Sequence, residues 1–222
     1  MWDNAWEKVF RENEWGKYPG ESLIRFIARN FYKAKDRSAV KILEVGCGPG
    51  ANLWYMLREG FSVVGIDGSR TAVQRALSRL EAEQQANVSE GGTFSVIEGD
   101  ILDLPFADKT FDAVIDSEAV YANPYRDAQQ MYREMARVAK PGGKCYSKMF
   151  ADGTWGCAES GETKEGPMAG KGYTRITTYE EIPALMDAWD IVSIDMEMRT
   201  EQGFLSNQWI KEWVVTAVKA EE

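Results

Sequence analysis

The chain of 222 residues contains no histidine, and this absence excludes several kinds of site at once. Catalysis by Ser-His or Cys-His pairs, and metal binding through imidazole, need a residue that the sequence lacks. Only three cysteines occur, Cys47, Cys145 and Cys157, and no two have the spacing of a zinc site or a redox motif. We therefore expect reduced thiols, no bound metal and a cytoplasmic location.

Positive charge and long apolar runs are also scarce. The 26 Lys and Arg residues face 35 Asp and Glu residues, which gives a formal net charge of −9. The electrostatic attraction that dominates nucleic-acid binding has the wrong sign here, so we expect no nucleic-acid partner. No apolar run approaches the length of a membrane span, and the first residues lack the basic and apolar pattern of a signal peptide. We expect a single globular domain without a membrane span.

The sequence does contain a repeated alternation of short apolar strands and amphipathic helices. Strands are predicted at 40–45, 61–67, 93–98, 111–116 and 144–150. Such alternation predicts a doubly wound α/β fold with a mostly parallel sheet and helices on both faces. Two later strand runs, at 191–198 and 209–218, are expected to pair antiparallel as a C-terminal hairpin and to complete a seven-stranded sheet.

The remaining segments surround this core. Residues 1–39 are aromatic and partly amphipathic, and predict an N-terminal helical cap before a cofactor-binding core at 40–150. The segment 152–175 is rich in glycine and has no apolar period, so residues 151–177 are expected to form a lid loop. Residues 178–222 then complete the single domain with a helix, predicted at 178–189, and the hairpin.

The most informative segment is a turn with three glycines, Gly46, Gly48 and Gly50, between the first strand and the first core helix. Glycine lets the backbone turn sharply and approach a ligand, and the N-terminus of the helix offers free N–H groups. Asp67 ends the next strand, where a doubly wound fold places a carboxylate for ribose hydroxyls. With Ala51, the same glycines also fit the loose pattern of nicotinamide-binding domains, so a nicotinamide-dependent oxidoreductase stays open.

Five segments in order distinguish these alternatives. They are ILEVGCGPG, VVGIDGS, EGDILDLPF, FDAVIDSEAVY and REMARVAKPGG. Together they resemble the motifs of the class I S-adenosylmethionine-dependent methyltransferases, in the broad type 11 small-molecule branch. The resemblance covers about residues 40–150 and implies a Rossmann-like fold with S-adenosylmethionine as cofactor.

The resemblance also implies roles for individual residues. The three glycines would hold the methionine part of the cofactor, and Glu44 would face its amino group. Asp67, with Gly68 beside it, would bind the ribose hydroxyls. The other cofactor residues implied by the resemblance are Asp100 and Ile101 at the adenine and Ser117 at the methionine part.

The implied reaction moves a methyl group to an O, N or S atom of a small-molecule acceptor. A base is needed only when the acceptor arrives protonated, and without histidine it must be a carboxylate, Tyr, Lys or solvent. Glu118 and Tyr121 are the candidate catalytic residues after the fourth strand, whereas relatives often carry a histidine near this position. Candidate substrate residues are Trp15, Tyr18 and Tyr125. A non-catalytic module that binds S-adenosylmethionine remains a further alternative.

Overall fold

A computed structural model describes residues 4–86, 91–200 and 208–221. The strands are β1 Lys41–Val45, β2 Ser62–Asp67, β3 Phe94–Glu98, β4 Phe111–Ser117, β5 Ala139–Phe150, β6 Gly161–Glu162, β7 Tyr173–Thr174, β8 Asp190–Arg199 and β9 Ile210–Val218. The α-helices are α1 Asn4–Glu12, α2 Glu21–Phe31, α3 Ala51–Arg58, α4 Arg70–Gln85, α5 Tyr125–Val138 and α6 Ile182–Leu185. Two 3₁₀ turns span Val120–Ala122 and Tyr179–Glu181.

Seven strands form one sheet in the order β3-β2-β1-β4-β5-β9-β8. Strands β1 to β5 pair in parallel, and β9 runs antiparallel to both β5 and β8. The predicted doubly wound sheet and its antiparallel C-terminal hairpin are therefore confirmed. The link between the two hairpin strands lies largely outside the described residues.

The sheet separates two apolar cores because successive strand residues point to opposite faces. In β4, Val114 packs with helices α5 and α6, whereas Ala113 and Ile115 pack with α2, α3 and α4. The predicted amphipathic helix of the N-terminal region is α2, which buries Leu23 and Phe26 with two further apolar side chains against the second core. Helices therefore cover both faces, as the alternating pattern predicted.

The predicted boundaries differ from the structure at two places. Strand β5 begins at Ala139, before the Pro141-Gly142-Gly143 segment, and the helix α5 already ends at Val138. The segment bulges out between two pairings with β4, and the Gly142 N–H bonds the carbonyl of Lys219 at 3.0 Å. The Pro-Gly-Gly segment locally predicts the end of an element, but backbone hydrogen bonds to the neighbouring chain segment keep it in the sheet.

The predicted helix at 178–189 is also wrong in length. A capping box between Thr178 and Glu181 starts a 3₁₀ turn, and only four residues, Ile182–Leu185, are α-helical. Within the 152–175 segment, predicted as irregular, β6 and β7 pair as a small antiparallel ladder. No helix in the described ranges combines the length and apolarity that a membrane crossing requires.

Candidate active site

A cavity of about 540 Å³ opens at the carboxyl ends of β1, β2 and β4. The strand order reverses between β1 and β4, and such a switch point is where open α/β sheets bind ligands. The lining includes most of the residues predicted from the sequence: Trp15, Tyr18, Glu44, Gly46, Gly48, Asp67, Gly68, Asp100, Ile101, Ser117, Glu118 and Tyr121. Gly50 and Tyr125 are not among the lining residues.

The glycine turn brings backbone to the cavity wall. Gly46 and Gly48 have φ angles of +60° and +50°, a region that side chains rarely adopt. A side chain on Gly46 would also overlap Cβ of Ala119, which follows β4. The turn after β1 and the turn after β4 can therefore approach this closely only because position 46 is glycine.

Gly50 serves a different purpose from the other two glycines. It caps the start of α3 with φ +75°, and a Cβ here would lie 2.9 Å from Cβ of Ala76 on α4. Its small size therefore permits the contact between α3 and α4. Gly50 itself does not line the cavity, although the next residues Ala51 and Asn52 do, so its contact with the cofactor stays a prediction.

Asp67 joins the end of β2 to the glycine turn. Its Oδ2 accepts a hydrogen bond from the Gly48 N–H at 2.8 Å, and its Oδ1 accepts one from the Ser69 N–H at 2.8 Å. Burial raises the pKa of this carboxyl to about 6, against the effect of these two hydrogen bonds. The side chain is 3% exposed, and its remaining acceptor capacity faces the cavity with Gly68 beside it.

Glu44 presents a buried carboxylate to the same cavity. Its Oε1 accepts a hydrogen bond from Asn52 Nδ2 at 2.6 Å, but its Oε2 has no hydrogen-bond partner among the described residues. Burial, together with the charges of Asp67 and Asp116, raises the pKa of Glu44 to about 8. A cationic group bound in the cavity would satisfy this oxygen, and an ammonium has the required donors.

Asp100 and Ile101, the two residues predicted to bind adenine, follow β3 and line the cavity. Asp100 is exposed and holds the turn by accepting a hydrogen bond from the Leu102 N–H at 3.0 Å. Ile101 adds an apolar wall beside the Gly46 position. The pair thus combines one acceptor with one apolar surface, which suits a heteroaromatic ring with an exocyclic amine.

Aromatic side chains from the N-terminal region cover the cavity. Trp15 and Phe10 have ring centroids 5.3 Å apart, and Phe10 lies against Gly48. Tyr18 packs edge-on against Trp54, although 71% of its surface is exposed. The predictions included Trp15 and Tyr18 but missed Trp6, Phe10 and Asn52, whose positions depend on how α1 and α3 pack.

The carboxylate of Glu7 joins helix α1 to the start of α4. Glu7 accepts hydrogen bonds from the hydroxyls of Ser69 and Thr71 at the start of α4. These bonds lower the pKa of Glu7, and the Ser69 hydroxyl in turn accepts from the Ala72 N–H at 3.1 Å, which caps the start of α4. The cover and the end of β2 therefore share a single hydrogen-bond network.

The end of the cavity away from the glycine turn is lined mainly by apolar side chains. Met131, Phe150, Met168 and Ile210 line it and are nearly fully buried. Tyr121 lies among them, 2% exposed, with its hydroxyl 3.7 Å from the Met168 sulfur. Burial raises the pKa of Tyr121 well above its usual value, so this residue keeps its proton and is suited to donate a hydrogen bond rather than to act as a base.

Unlike Tyr121, Glu118 can gain or lose a proton near neutral pH. It follows β4 directly, has an unusual φ of +62°, and its side chain is 34% exposed toward the cavity. Burial and the nearby Glu212 raise its pKa to about 7, while Lys148 at 3.3 Å opposes that shift. Tyr125, by contrast, begins α5, packs partly buried against the core and does not line the cavity, although Asn123 just before it does.

Asp116 stabilises the turn after β4 at this apolar end of the cavity, which we call the acceptor end. This fully buried carboxylate accepts from the N–H groups of Ala119 and Val120 at 3.0 Å, and from the hydroxyls of Tyr132 and Ser147 at 2.9 and 2.7 Å. The four donors match its four acceptor sites. Asp116 therefore fixes the turn that carries Glu118 and Tyr121 without reaching the cavity.

The fold and the site are those of a doubly wound α/β domain with a cavity at the switch point of its sheet, and comparison with known proteins finds related domains. A family model described as a methyltransferase domain matches residues 42–143. The chain is 38% identical over 118 residues to a protein named sterol methyltransferase-like 2 from Botryococcus braunii, covering 52% of this chain and 28% of that protein. It is 34% identical over 146 residues to the methyltransferase GfsG from Streptomyces halstedii, covering 61% and 50%.

The structural comparison agrees with the sequence comparison. A solved structure of a SAM-dependent methyltransferase from Methanosarcina mazei superposes with a TM-score of 0.66 at 20% identity, covering 83% of this chain and 94% of that one. These comparisons support a class I S-adenosylmethionine-dependent methyltransferase domain over residues 42–143, and S-adenosylmethionine is the cofactor of that family. The chain spans half or less of the length of the two curated relatives named above.

Proposed function

We propose that this protein transfers a methyl group from S-adenosylmethionine to an O, N or S atom of a small-molecule acceptor by in-line displacement. The observation that carries the proposal is the pair of buried carboxylates at the glycine turn. Glu44 offers an unsatisfied oxygen to a cation, and Asp67 offers acceptor capacity to a diol. A ligand with an ammonium at one end and a ribose beside it fits both residues, and S-adenosylmethionine has this arrangement.

Each residue then has a defined role in binding. The Gly46 and Gly48 backbone, with Ser117 across the cavity, would hold the methionine part, and Glu44 would bind its ammonium. Asp67 and Gly68 would bind the ribose, and Asp100 and Ile101 the adenine. The cofactor supplies a sulfonium methyl group that is already electrophilic, so the residues of the chain mainly position the acceptor and exclude water.

The acceptor end supports a substrate with an apolar body. Met131, Phe150, Met168 and Ile210 exclude water there, and the methionine side chains adapt to irregular shapes. The name of the relative sterol methyltransferase-like 2 is consistent with an apolar acceptor. Glu118 is the candidate group to take up a proton from the acceptor, and Tyr121 would donate a hydrogen bond to orient it.

Two alternatives predict different behaviour. A nicotinamide-dependent oxidoreductase rests on the loose glycine pattern alone, and the match to the methyltransferase domain disfavours it. A non-catalytic module would bind the cofactor in the same way but would leave the acceptor end without a reaction.

Transfer of a labelled methyl group tests the proposal. The protein is incubated with methyl-labelled S-adenosylmethionine and fractionated small molecules from a cell extract, and the label is followed into products. We expect label in at least one small molecule, and none when Asp67→Ala replaces the wild type. Normal cofactor binding without a labelled product in any fraction would contradict the proposal and favour the non-catalytic module.

A further inference from the structure

Five charged side chains meet beside the acceptor end of the cavity, and we call them the charged cluster. They come from the end of β4 and from the three strands next to it in the sheet: Glu118, Lys148, Glu197, Arg199 and Glu212. Lys148 lies at the centre, with its Nζ 3.3 Å from Glu118, 3.0 Å from Glu197 and 3.0 Å from Glu212. Arg199 pairs with Glu212 from the other side.

The centre of the cluster is buried, and one edge is exposed to the cavity. Glu212 has no exposed surface and Lys148 has 11%, whereas Glu118 lines the cavity with 34% of its side chain exposed. Tyr121 and Tyr146 lie beside the cluster, and burial raises the pKa of both so that they stay neutral. Three carboxylates therefore face two cations, which leaves one negative charge in excess.

The geometry directs a proton to one member of the cluster. Although burial opposes it, Lys148 and Arg199 hold the pKa of Glu212 below its usual value, so Glu212 stays ionised. Its buried Oε1 nevertheless lacks a donor among the described residues. Both carboxylates contact Lys148 Nζ, Glu118 at 3.3 Å and Glu212 at 3.0 Å, so a proton on Glu118 would add a donor beside Glu212. Uptake of one proton by Glu118 would thus neutralise the five charges of the cluster.

We infer that Lys148 is a positioning residue: anchored by Glu197 and Glu212, it holds the Glu118 carboxylate at the acceptor end, where the cluster takes up the proton that the acceptor loses on methylation. This inference rests on the proposed function. The bond between the acceptor atom and the methyl carbon forms, and the bond between that carbon and sulfur breaks. The sulfur keeps the electron pair of the broken bond, and the proton of the acceptor moves to Glu118. The acceptor class is therefore one with a removable proton, such as a hydroxyl.

Direct titration of Glu118 tests the positioning role without an acceptor. Protein labelled with ¹³C at the glutamate carboxyl is titrated by NMR, and Glu118→Gln assigns the signal. The wild type is expected to titrate near neutral pH. In Lys148→Met the midpoint should rise by about 1 pH unit or more, because an opposite charge at this range lowers a carboxyl pKa by about 1–3 units. Lys148→Arg, which keeps the charge, should restore a midpoint near that of the wild type.

The matched control is Lys140→Met, which removes another ion-paired lysine from the same strand, 2.7 Å from Asp112 and far from the cluster. It should leave the Glu118 midpoint unchanged. An unchanged midpoint in folded Lys148→Met would overturn the inference. If Lys148→Met does not fold, Glu197→Gln replaces it as the test, because it removes a half-exposed carboxylate that contacts Lys148. This variant should lower the Glu118 midpoint, and an unchanged midpoint would likewise overturn the inference.

Two further readouts separate this inference from the proposed function. S-adenosylhomocysteine should bind Lys148→Met with wild-type affinity, and failure to bind even the wild type would count against the proposed function while the titration result stands. With an acceptor in hand, Lys148→Met should move the acid limb of the kcat profile to higher pH with KM little changed. An unmoved limb would contradict the role of Lys148 and leave methyl transfer intact.

Discussion

Asp67 shows how one side chain organises the cofactor end of the cavity. The carboxylate closes the glycine turn through the Gly48 N–H and starts the following helix through the Ser69 N–H. The sequence predicted this residue because its position at a strand end carries the information. Asn52, which orients Glu44, could not be predicted in the same way, because its role depends on a side-chain contact eight residues away that only the bend into α3 creates.

Replacing Asp67 tests the ribose position. Asp67→Ala removes the acceptors for the ribose hydroxyls and leaves the buried Gly48 N–H without its partner. We expect the affinity for S-adenosylhomocysteine to fall at least about 100-fold, since hydrogen bonds to charged groups contribute about 1.5–3 kcal/mol each. Calorimetric titration measures the change, with the exposed Asp103→Ala from a nearby turn as control. Equal affinity of the Asp67 variant and the wild type would place the ribose elsewhere.

Glu44 makes cofactor binding depend on pH. Because its pKa is raised to about 8, this residue is mostly protonated in the free protein at neutral pH, whereas an ammonium favours the ionised form. Binding should therefore release a proton, and affinity for S-adenosylhomocysteine should rise by up to about tenfold per pH unit between pH 6 and 8.

The Glu44→Gln variant should abolish that dependence. Titrations in buffers of different ionisation enthalpy count the released protons, and the variant should release none from this position. Glu98→Gln, which changes an exposed glutamate at the end of β3, should behave as the wild type. A pH dependence that persists in Glu44→Gln would show that another group binds the cation.

At the scale of elements, the strands that hold the site were easier to predict than the segments that cover it. The β1 turn, the end of β2 and the end of β4 lie where apolar runs stop, so local patterns locate them. The lengths of β5 and of the helix after the 152–175 segment depend on partners that are distant in sequence, such as Lys219 for Gly142. Local signals for a break are overruled there by backbone hydrogen bonds within the sheet.

Helix α1 provides a test of the cover. Glu7→Ala removes the bonds to Ser69 and Thr71, so Trp6 and Phe10 should lose their fixed place over the cavity. We expect affinity for S-adenosylhomocysteine to fall about 10-fold, equivalent to one charged hydrogen bond of roughly 1.5 kcal/mol, and cleavage by trypsin after Arg11 to accelerate.

Another glutamate of the same helix supplies the control. Glu12→Ala removes an exposed pair with Arg11 at 3.5 Å, and should leave the affinity for S-adenosylhomocysteine unchanged. If the affinity of Glu7→Ala matched that of Glu12→Ala, α1 would not be held by Glu7.

At the scale of the whole molecule, buried carboxyl groups take the place of histidine as the side chains that titrate near neutral pH. The unfolded chain has no side chain with an ordinary pKa near 6.5, yet burial brings Asp67, Glu118 and Glu44 to about 6, 7 and 8. The sequence excluded histidine mechanisms correctly as a matter of composition. It also named these three acids as site residues, but it could not predict their raised pKa values, because these arise from the closure of the sheet, the helices and the N-terminal segment around them.

These acids set the sign of the pH dependence of stability. Between about pH 5 and 8 the folded protein binds protons at Glu44 and Asp67 that the unfolded chain has lost, so the free energy of unfolding should decrease as pH rises. Thermal melts of the cofactor-free protein should show Tm falling over this range, with a smaller fall in Glu44→Gln. Glu12→Gln should follow the wild type, and a Tm that rises with pH in the wild type would contradict the burial of these groups.

Calorimetric titration of the wild type with S-adenosylhomocysteine, and separately with NADH, tests the central claim most directly. The glycine turn and the two carboxylates predict saturable binding of one S-adenosylhomocysteine per chain and no binding of NADH. Tight binding of NADH without binding of S-adenosylhomocysteine would contradict the account and favour a nicotinamide site at the same turn.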